Sequence, residues 1–314
     1  MAEPAVSAQG LEKHFGDFIA VEDLSFDIQP GEVYGFLGPN GSGKSTTIRM
    51  LCGLLRPTRG DACIDGFSVK RKPEEVKRRI GYMSQLFSLY GDLTVQENLE
   101  FYAGVYSVSR SQLSERSKAL FERLALGEFE ERLTRTLSTG VRQRLALACA
   151  LIHKPRILFL DEPTSGVDPL VRRLFFDLIS ELAGEGVTTL ITTHVMEEAE
   201  YCNRLLLIYQ SRKVTEGTPA ELRALVPGKL FEVKLSDALE AQRALLGLPE
   251  ILDASLFGSS LHVVLSDAVT SPETRLRELL GQRGYPPESL RPVRRSMEHA
   301  FLYLTGDAVS EGVR

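Results

Sequence analysis

The segment 38–46, GPNGSGKST, constrains this chain more than any other. It fits the pattern G-x-x-x-x-G-K-[ST]: Gly38, Gly43, Lys44 and Ser45 hold the fixed positions, and Pro39, Asn40, Gly41, Ser42 and Thr46 complete the loop. Glycines let a backbone curl so that successive N–H groups point inward at a phosphate chain, and the next helix aims its positive end at the same anion. Lys44 would reach the β- and γ-phosphates, and the Ser45 hydroxyl would hold Mg²⁺. A chance glycine-rich turn is the alternative, and the flanks argue against it. Residues 33–37, VYGFL, read as a buried strand, and 47–51, TIRML, read as a helix. A site for ATP with Mg²⁺ is expected here.

The run ILFLDEP at 157–163 is the second strong signal. Four apolar residues fit a buried parallel strand, and open α/β sheets place their ligands at the carboxyl ends of such strands. Asp161 would bind Mg²⁺ through water, and Glu162 would polarise an attacking water as general base. Two solvated acids after a strand would be the bland alternative, and the phosphate loop makes it a poor one.

The rest of the chain supplies a frame for these motifs. Residues 6–30 alternate and end at Pro30-Gly31, as antiparallel strands with a turn do. Residues 80–83 form a further strand ending at Gln85, and from about 87 to 153 the pattern is helical. Strand and helix then alternate to about 209, which implies a parallel sheet with crossover helices. Pro227-Gly228 marks a boundary. Beyond it the order β-α-β-β-α-β, with a terminal helix over 297–304, fits a small ferredoxin-like α+β unit. The expected domains are therefore 1–226 and 227–305, followed by a loose tail at 306–314.

Bulk properties exclude several classes. The 314 residues are 43% apolar and 25% charged, with a net charge of −5, which gives no general reason to expect nucleic acid as a partner. The basic clusters 70–72 and 77–79 are short enough to be a solvated face. Cysteines 52, 63, 149 and 202 lack both C-x-x-C and zinc spacing, so free thiols in a reducing compartment are expected. No apolar run approaches eighteen residues and the N-terminus lacks the apolar stretch of a signal peptide, so a cytosolic chain that does not itself cross a membrane is expected.

Read with what lies between them, the two motifs resemble the ATP-binding cassette (ABC) family over residues 6 to about 225. The resemblance implies a P-loop NTPase fold: a RecA-like parallel core, an antiparallel β subdomain and a helical subdomain. Gln85 falls at the family's Q-loop position, which senses Mg²⁺ and the lytic water. Residues 137–141, LSTGV, stand where the signature LSGGQ belongs, with Thr139 and Val141 departing from it and Ser138 and Gly140 retained. Residues 165–168, SGVD, match the D-loop, with Asp168 bridging two sites. His194 matches the switch histidine at the γ-phosphate, and Phe15 the aromatic residue that stacks on adenine. In this family the signature closes over nucleotide on a second nucleotide-binding subunit, in a head-to-tail dimer with two ATP molecules between the copies.

Three stretches are similar to the subgroup that powers ABC-2-type exporters, including drug and multidrug efflux pumps. They are 146–169, 193–219 and the ending SMEHAFLYLTG, close to S-[LM]-E-x-x-F-x-x-L-T-G. The resemblance implies an integral membrane permease as partner and a peripheral position on the cytoplasmic face of the cell membrane. Phe87, Leu89, Tyr90 and Tyr102 are candidates to grip the permease, or else core of the helical subdomain. Met297, Phe301, Leu302 and Leu304 are expected to form one packed face of the terminal helix. A soluble cassette acting on ribosomes or DNA, and a nucleotide-gated regulatory module, are the alternative readings. Glu162 and His194 argue against the latter, since a pure binder needs neither.

Overall fold

The computed structural model describes residues 3–85 and 88–311. Contacts divide the chain into two units, Met1–Pro219 and Ala220–Arg314. The division falls ahead of the expected boundary at 226/227 because the short helix after Pro219 belongs with the second unit.

The first unit opens with β1 (Val6–Phe15), β2 (Phe18–Ile28), β3 (Val33–Leu37), α1 (Lys44–Leu51), β4 (Arg59–Ile64) and β5 (Phe67–Ser68). After α2 (Pro73–Arg79) and β6 (Ile80–Met83) come three helices, α3 (Val95–Val105), α4 (Arg110–Arg123) and α5 (Thr139–Leu151). The unit closes with β7 (Ile157–Asp161), α6 (Pro169–Gly184), β8 (Thr188–Thr193), α7 (Met196–Ala199), β9 (Arg204–Tyr209) and β10 (Arg212–Gly217).

These strands form two sheets. One is antiparallel, in the order β2-β1-β4-β5; the other has six strands, β10-β9-β3-β8-β7-β6. In the second sheet β3 pairs in parallel with β8 and β9, and β7 with β6 and β8, while β10 turns back antiparallel on β9. All five residues of β3 and of β7 are buried, as expected of strands covered on both faces. One apolar core joins the two sheets. Phe26 of β2 meets Phe36 of β3 edge-on at 5.1 Å, and Ile48, Met50 and Leu51 of α1 pack into the same cluster. The helical segment starts sharply because Thr94 and Glu97 form a reciprocal capping box at α3, and Ser109 and Gln112 do so at α4.

The second unit contains α8 (Pro219–Ala224), β11 (Lys229–Lys234), α9 (Ala238–Leu245), β12 (Ile251–Phe257), β13 (Ser260–Leu265), α10 (Pro272–Gln282), β14 (Ser289–Pro292) and α11 (Met297–Glu311). Its sheet runs β12-β13-β11-β14 and is antiparallel throughout, the ferredoxin-like order. Leu261, Val263 and Leu265 face the core shared with Leu245, Leu276 and Leu280 of α9 and α10. Period 2 turns His262 to the opposite face. There α11 lies, with Met297 and Ala300 buried.

Two expectations for α11 need correction. Its backbone stays helical through Glu311 because nothing after Leu304 breaks it: no proline follows, and Gly306 alone does not stop it. Leu302 is exposed and Phe301 and Leu304 are half-buried, so the packed face is that of Met297 and Ala300. Elements that were not foreseen are all short or weakly patterned: β5, α2, β10 and α8. No helix among the described residues is long and apolar enough to cross a membrane.

Candidate functional site

The carboxyl ends of four parallel strands deliver the predicted residues to one place. The phosphate loop leaves β3 at the middle of the sheet, Asp161 ends β7, His194 follows β8, and Gln85 lies two residues beyond β6. A cleft of about 390 Å³ opens there, lined by Ala20, Asn40, Gly43, Lys44, Gln85 and Glu162 among others.

Two glycines of the loop are dictated by space. A Cβ on Gly38 would stand 2.2 Å from the Ile208 carbonyl oxygen. One on Gly43, whose φ is +100°, would stand 2.4 Å from that of Ala20. The tight loop turns two carbonyls onto Lys44: Nζ donates to Gly38 O at 2.7 Å and to Pro39 O at 2.9 Å. Burial holds the Lys44 ammonium below its ordinary pKa, opposed by the nearby Glu162 and Asp161 carboxylates. Anionic oxygens entering this place would favour the charged lysine.

The metal-ligand candidates are coupled directly. Ser45 Oγ donates to Asp161 Oδ1 at 2.9 Å, and Thr192 Oγ1 donates to the same atom at 2.6 Å. Asp161 Oδ2 is buried with no hydrogen-bond partner in the structure. Burial raises the Asp161 pKa, with the Thr192 and Ser45 hydroxyls pulling the other way. A buried carboxylate with one orphaned oxygen beside a serine hydroxyl is a donor set that fits a hard divalent cation such as Mg²⁺.

Glu162 is held in the left-handed region, at φ +49°, by its backbone N–H, which reaches Thr192 O at 3.1 Å and Thr192 Oγ1 at 3.0 Å. Three groups surround its carboxylate. Gln85 Nε2 donates to Oε2 at 3.0 Å, His194 Nδ1 lies 3.3 Å from Oε1, and Lys44 Nζ lies 3.9 Å from Oε1. Thr192 thus fixes both Asp161 and Glu162, a role the sequence reading missed. Its only signal was its place in the TTH segment before His194.

Other predicted residues lie apart. None of Ser138, Gly140 and Asp168 lines the cleft. Ser138 is the exposed N-cap of α5, accepting from Val141 N at 3.5 Å, and a Cβ on Gly140 would meet Val171 Cγ1 at 3.2 Å. Asp168 caps α6, accepting from Leu170 N at 3.0 Å and Val171 N at 3.1 Å. Phe15 is half exposed, with Lys13 Nζ 5.0 Å over its ring, and does not line the cleft; its hairpin partner Phe18 does. Phe87 lies outside the described residues. Leu89 and Tyr102 line a second, smaller hollow against α5, and Tyr90 is half exposed and packs edge-on against Phe101 at 4.7 Å.

The cysteines are free; Cys52, Cys149 and Cys202 are buried, and burial raises their thiol pKa values, for Cys202 to about 12. In the basic cluster 77–79, Lys77 pairs with Glu74, Arg78 with Glu75 and Arg79 with Asp65.

Comparison with known proteins agrees with this fold. The family described as ABC transporter matches residues 21–165. The probable multidrug ABC transporter ATP-binding protein YbhF of Escherichia coli (strain K12) is 48% identical over 71% of the chain, which spans only 38% of that protein's length. The daunorubicin/doxorubicin resistance ATP-binding protein DrrA of Streptomyces peucetius is 36% identical over 96% of this chain and 92% of its own. The Nod factor export ATP-binding protein I of Cupriavidus metallidurans is 36% identical over 95% of this chain and 96% of its own. Among solved structures, a dimeric ATP-binding cassette in a post-hydrolysis state with ADP and Pi aligns with a TM-score of 0.63. It is 27% identical, over 68% of this chain and 98% of that one.

Proposed function

The chain belongs to the ABC transporter ATP-binding family, and from that premise we propose that it is the ATPase subunit of an ABC-2-type exporter, working head-to-tail with a second nucleotide-binding subunit on a separate membrane permease. The observation that carries the reading is the Glu162 carboxylate, bracketed by Gln85, His194 and Lys44 at the mouth of the phosphate loop. A protein that only bound nucleotide would need no such base.

Bound Mg-ATP would supply the electrophilic γ-phosphorus and the divalent charge; Ser45 and Asp161 are the residues that would hold the metal. The curled loop and Lys44 bind and orient the phosphate chain. Glu162, which lines the cleft, takes the proton of the attacking water at Oε1 or Oε2. Gln85 orients the carboxylate by its N–H donation, and His194 stands beside Oε1 to meet the developing charge. Ser138, Gly140 and Asp168, which do not line this cleft, are assigned to the partner subunit's nucleotide. Phe15, together with Phe18, is assigned to the adenine.

Leu89, Tyr90 and Tyr102 offer aromatic and apolar surface for a permease helix, and with such a partner the chain would sit on the cytoplasmic face of the membrane. Drug-like cargo is the proposed class, on the names of two relatives; the third is named for Nod factor export. The test is Glu162→Gln, for which we expect retained ATP binding and a turnover lower by roughly a hundredfold or more, the scale of losing a general base. Tagged Glu162→Gln protein, trapped with Mg-ATP and recovered from solubilised native membranes, should bring a polytopic membrane protein in near-stoichiometric amount. Ribosomal proteins or nucleic acid in its place would refute the exporter reading.

A further inference from the structure

The first unit buries a carboxylate that the hydrolytic site does not use. Glu198 of α7 is 2% exposed. Its carboxylate accepts a hydrogen bond from the Thr164 hydroxyl, and its Oε1 lies 3.2 Å from Arg172 Nε of α6. Thr164 is itself buried, two residues after Glu162. The next residue, Ser165, accepts at its carbonyl a bond of 3.1 Å from Nε2 of Gln143, a buried side chain on α5. A buried ion pair is weak as a stabiliser, because desolvation offsets its attraction, so packing alone does not call for one here.

The connectivity suggests another role. α5 begins at Ser138, the signature serine, and Gln143 sits one turn further along it. Arg172 sits one turn past Asp168, the cap of α6. Glu198 lies four residues past His194, whose ring touches Glu162. Side-chain contacts therefore link the signature helix to 164–165 and these to Glu198 on α7, and backbone bonds carry the link on: Ser165 N–H donates to Glu162 O at 3.2 Å, and Glu198 N–H to Val195 O, next to His194, at 3.1 Å.

We propose that Gln143, Thr164, Arg172 and Glu198 form a positioning relay that sets the Glu162–His194 geometry according to whether this chain's own signature helix has engaged the partner's nucleotide. The inference rests on the head-to-tail reading above. It supplies what that reading lacks, a path within one chain from the surface serving the partner's site to the residues serving its own. Coupling of this kind needs a contiguous network of packed polar groups whose arrangement both ends bias.

The test is Glu198→Gln in the full chain, an isostere that keeps an acceptor for Thr164 and removes the charge facing Arg172. Steady-state ATP hydrolysis against ATP concentration, ATP binding and thermal melting are read together. The expected result is ATP affinity within about twofold of wild type, a kcat lower by about tenfold, and a Hill coefficient falling from near 2 toward 1, a loss within the usual range of coupling strengths. Glu198→Asp, which keeps the charge, should recover part of both. Unchanged kcat and cooperativity would overturn the relay, and so would a parallel loss of binding, rate and melting temperature, which marks a structural role only. If Glu198→Gln yields no folded protein, Gln143→Leu at the other end is read against the same outcomes. Wild-type protein that hydrolyses ATP without cooperativity or ATP-dependent dimers would instead refute the head-to-tail reading, and the relay with it.

Discussion

Single residues at this site are constrained mainly by backbone geometry. Gly43 shows it best: its φ of +100° is unfavourable for any L side chain, and an added Cβ would press on a backbone carbonyl that has no rotamer to yield. Gly41, at φ +80°, has nothing within 4 Å of the same added atom. Gly43→Ala is therefore expected to lose about 1–3 kcal/mol of stability through strain and to weaken nucleotide binding by displacing the loop from Ala20. Gly41→Ala should show the smaller, strain-only loss. Urea denaturation with nucleotide titration of both variants checks this, and equal effects would mean that contact with the Ala20 carbonyl is irrelevant. Glu162 occupies left-handed backbone without being glycine, and two bonds from its N–H to Thr192 hold it there. Left-handed backbone at the proposed general base, restrained by a neighbouring strand, fits that role.

Among the elements, α11 makes the most pH-sensitive contact. His299 stacks on Phe257 at 4.5 Å and on His262 at 4.9 Å, with His262 Nδ1 2.6 Å from His299 Nε2. Around them stand Ser296 just before α11, Ser255 on β12, Glu232 on β11 and Arg291 on β14, the last two paired with each other. Two facing ring nitrogens share one proton well and two protons badly. Burial, reinforced by His262, pushes the His299 pKa down to about 4, and burial also lowers that of His262. Unfolded histidines take up protons near 6.5. Between there and about 4 the unfolded state binds more protons, so stability rises with pH in this window and is lost as pH falls through it. Protection factors for hydrogen exchange in α11 and β13, taken relative to the intrinsic exchange rate at each pH, should fall on going from pH 7 to pH 5, and His299→Phe should flatten that response. A local probe is needed because His153 in the first unit, also depressed to about 4 by burial, acts with the same sign on melting of the whole chain.

For the whole molecule, the proposed arrangement calls for a second nucleotide-binding subunit. Ser138 and Asp168, at the signature and D-loop positions, are exposed and do not line this chain's cleft. Glu162→Gln with Mg-ATP is expected to shift in sedimentation from the 34.8 kDa of one chain to twice that mass, and to return with ADP. A mass unchanged by ATP would count against closure between copies, while leaving the assignment of Glu162 intact. The pattern of exposure fits such closure: Leu170 and Leu174 at the start of α6, next to Asp168, are among the exposed large apolar side chains.

Local motifs by themselves determined much of this protein. The phosphate loop, the strand ending in Asp161-Glu162, His194 and the βαββαβ order were legible because short-range spacing dictates backbone shape and burial. Tertiary structure alone decided what those groups touch. Ser45 meets Asp161 across 116 positions of sequence, and Thr192 reaches Asp161 from 31 positions away, through strand adjacencies that no local pattern encodes. Phe18 rather than Phe15 lines the cleft because the hairpin places one on each side of its turn, and alternation cannot tell which. The buried Glu198 escaped notice for the same reason: in sequence it is one acid among several on a short helix. Only the packing of α6 and of the loop after Glu162 against it makes its charge significant.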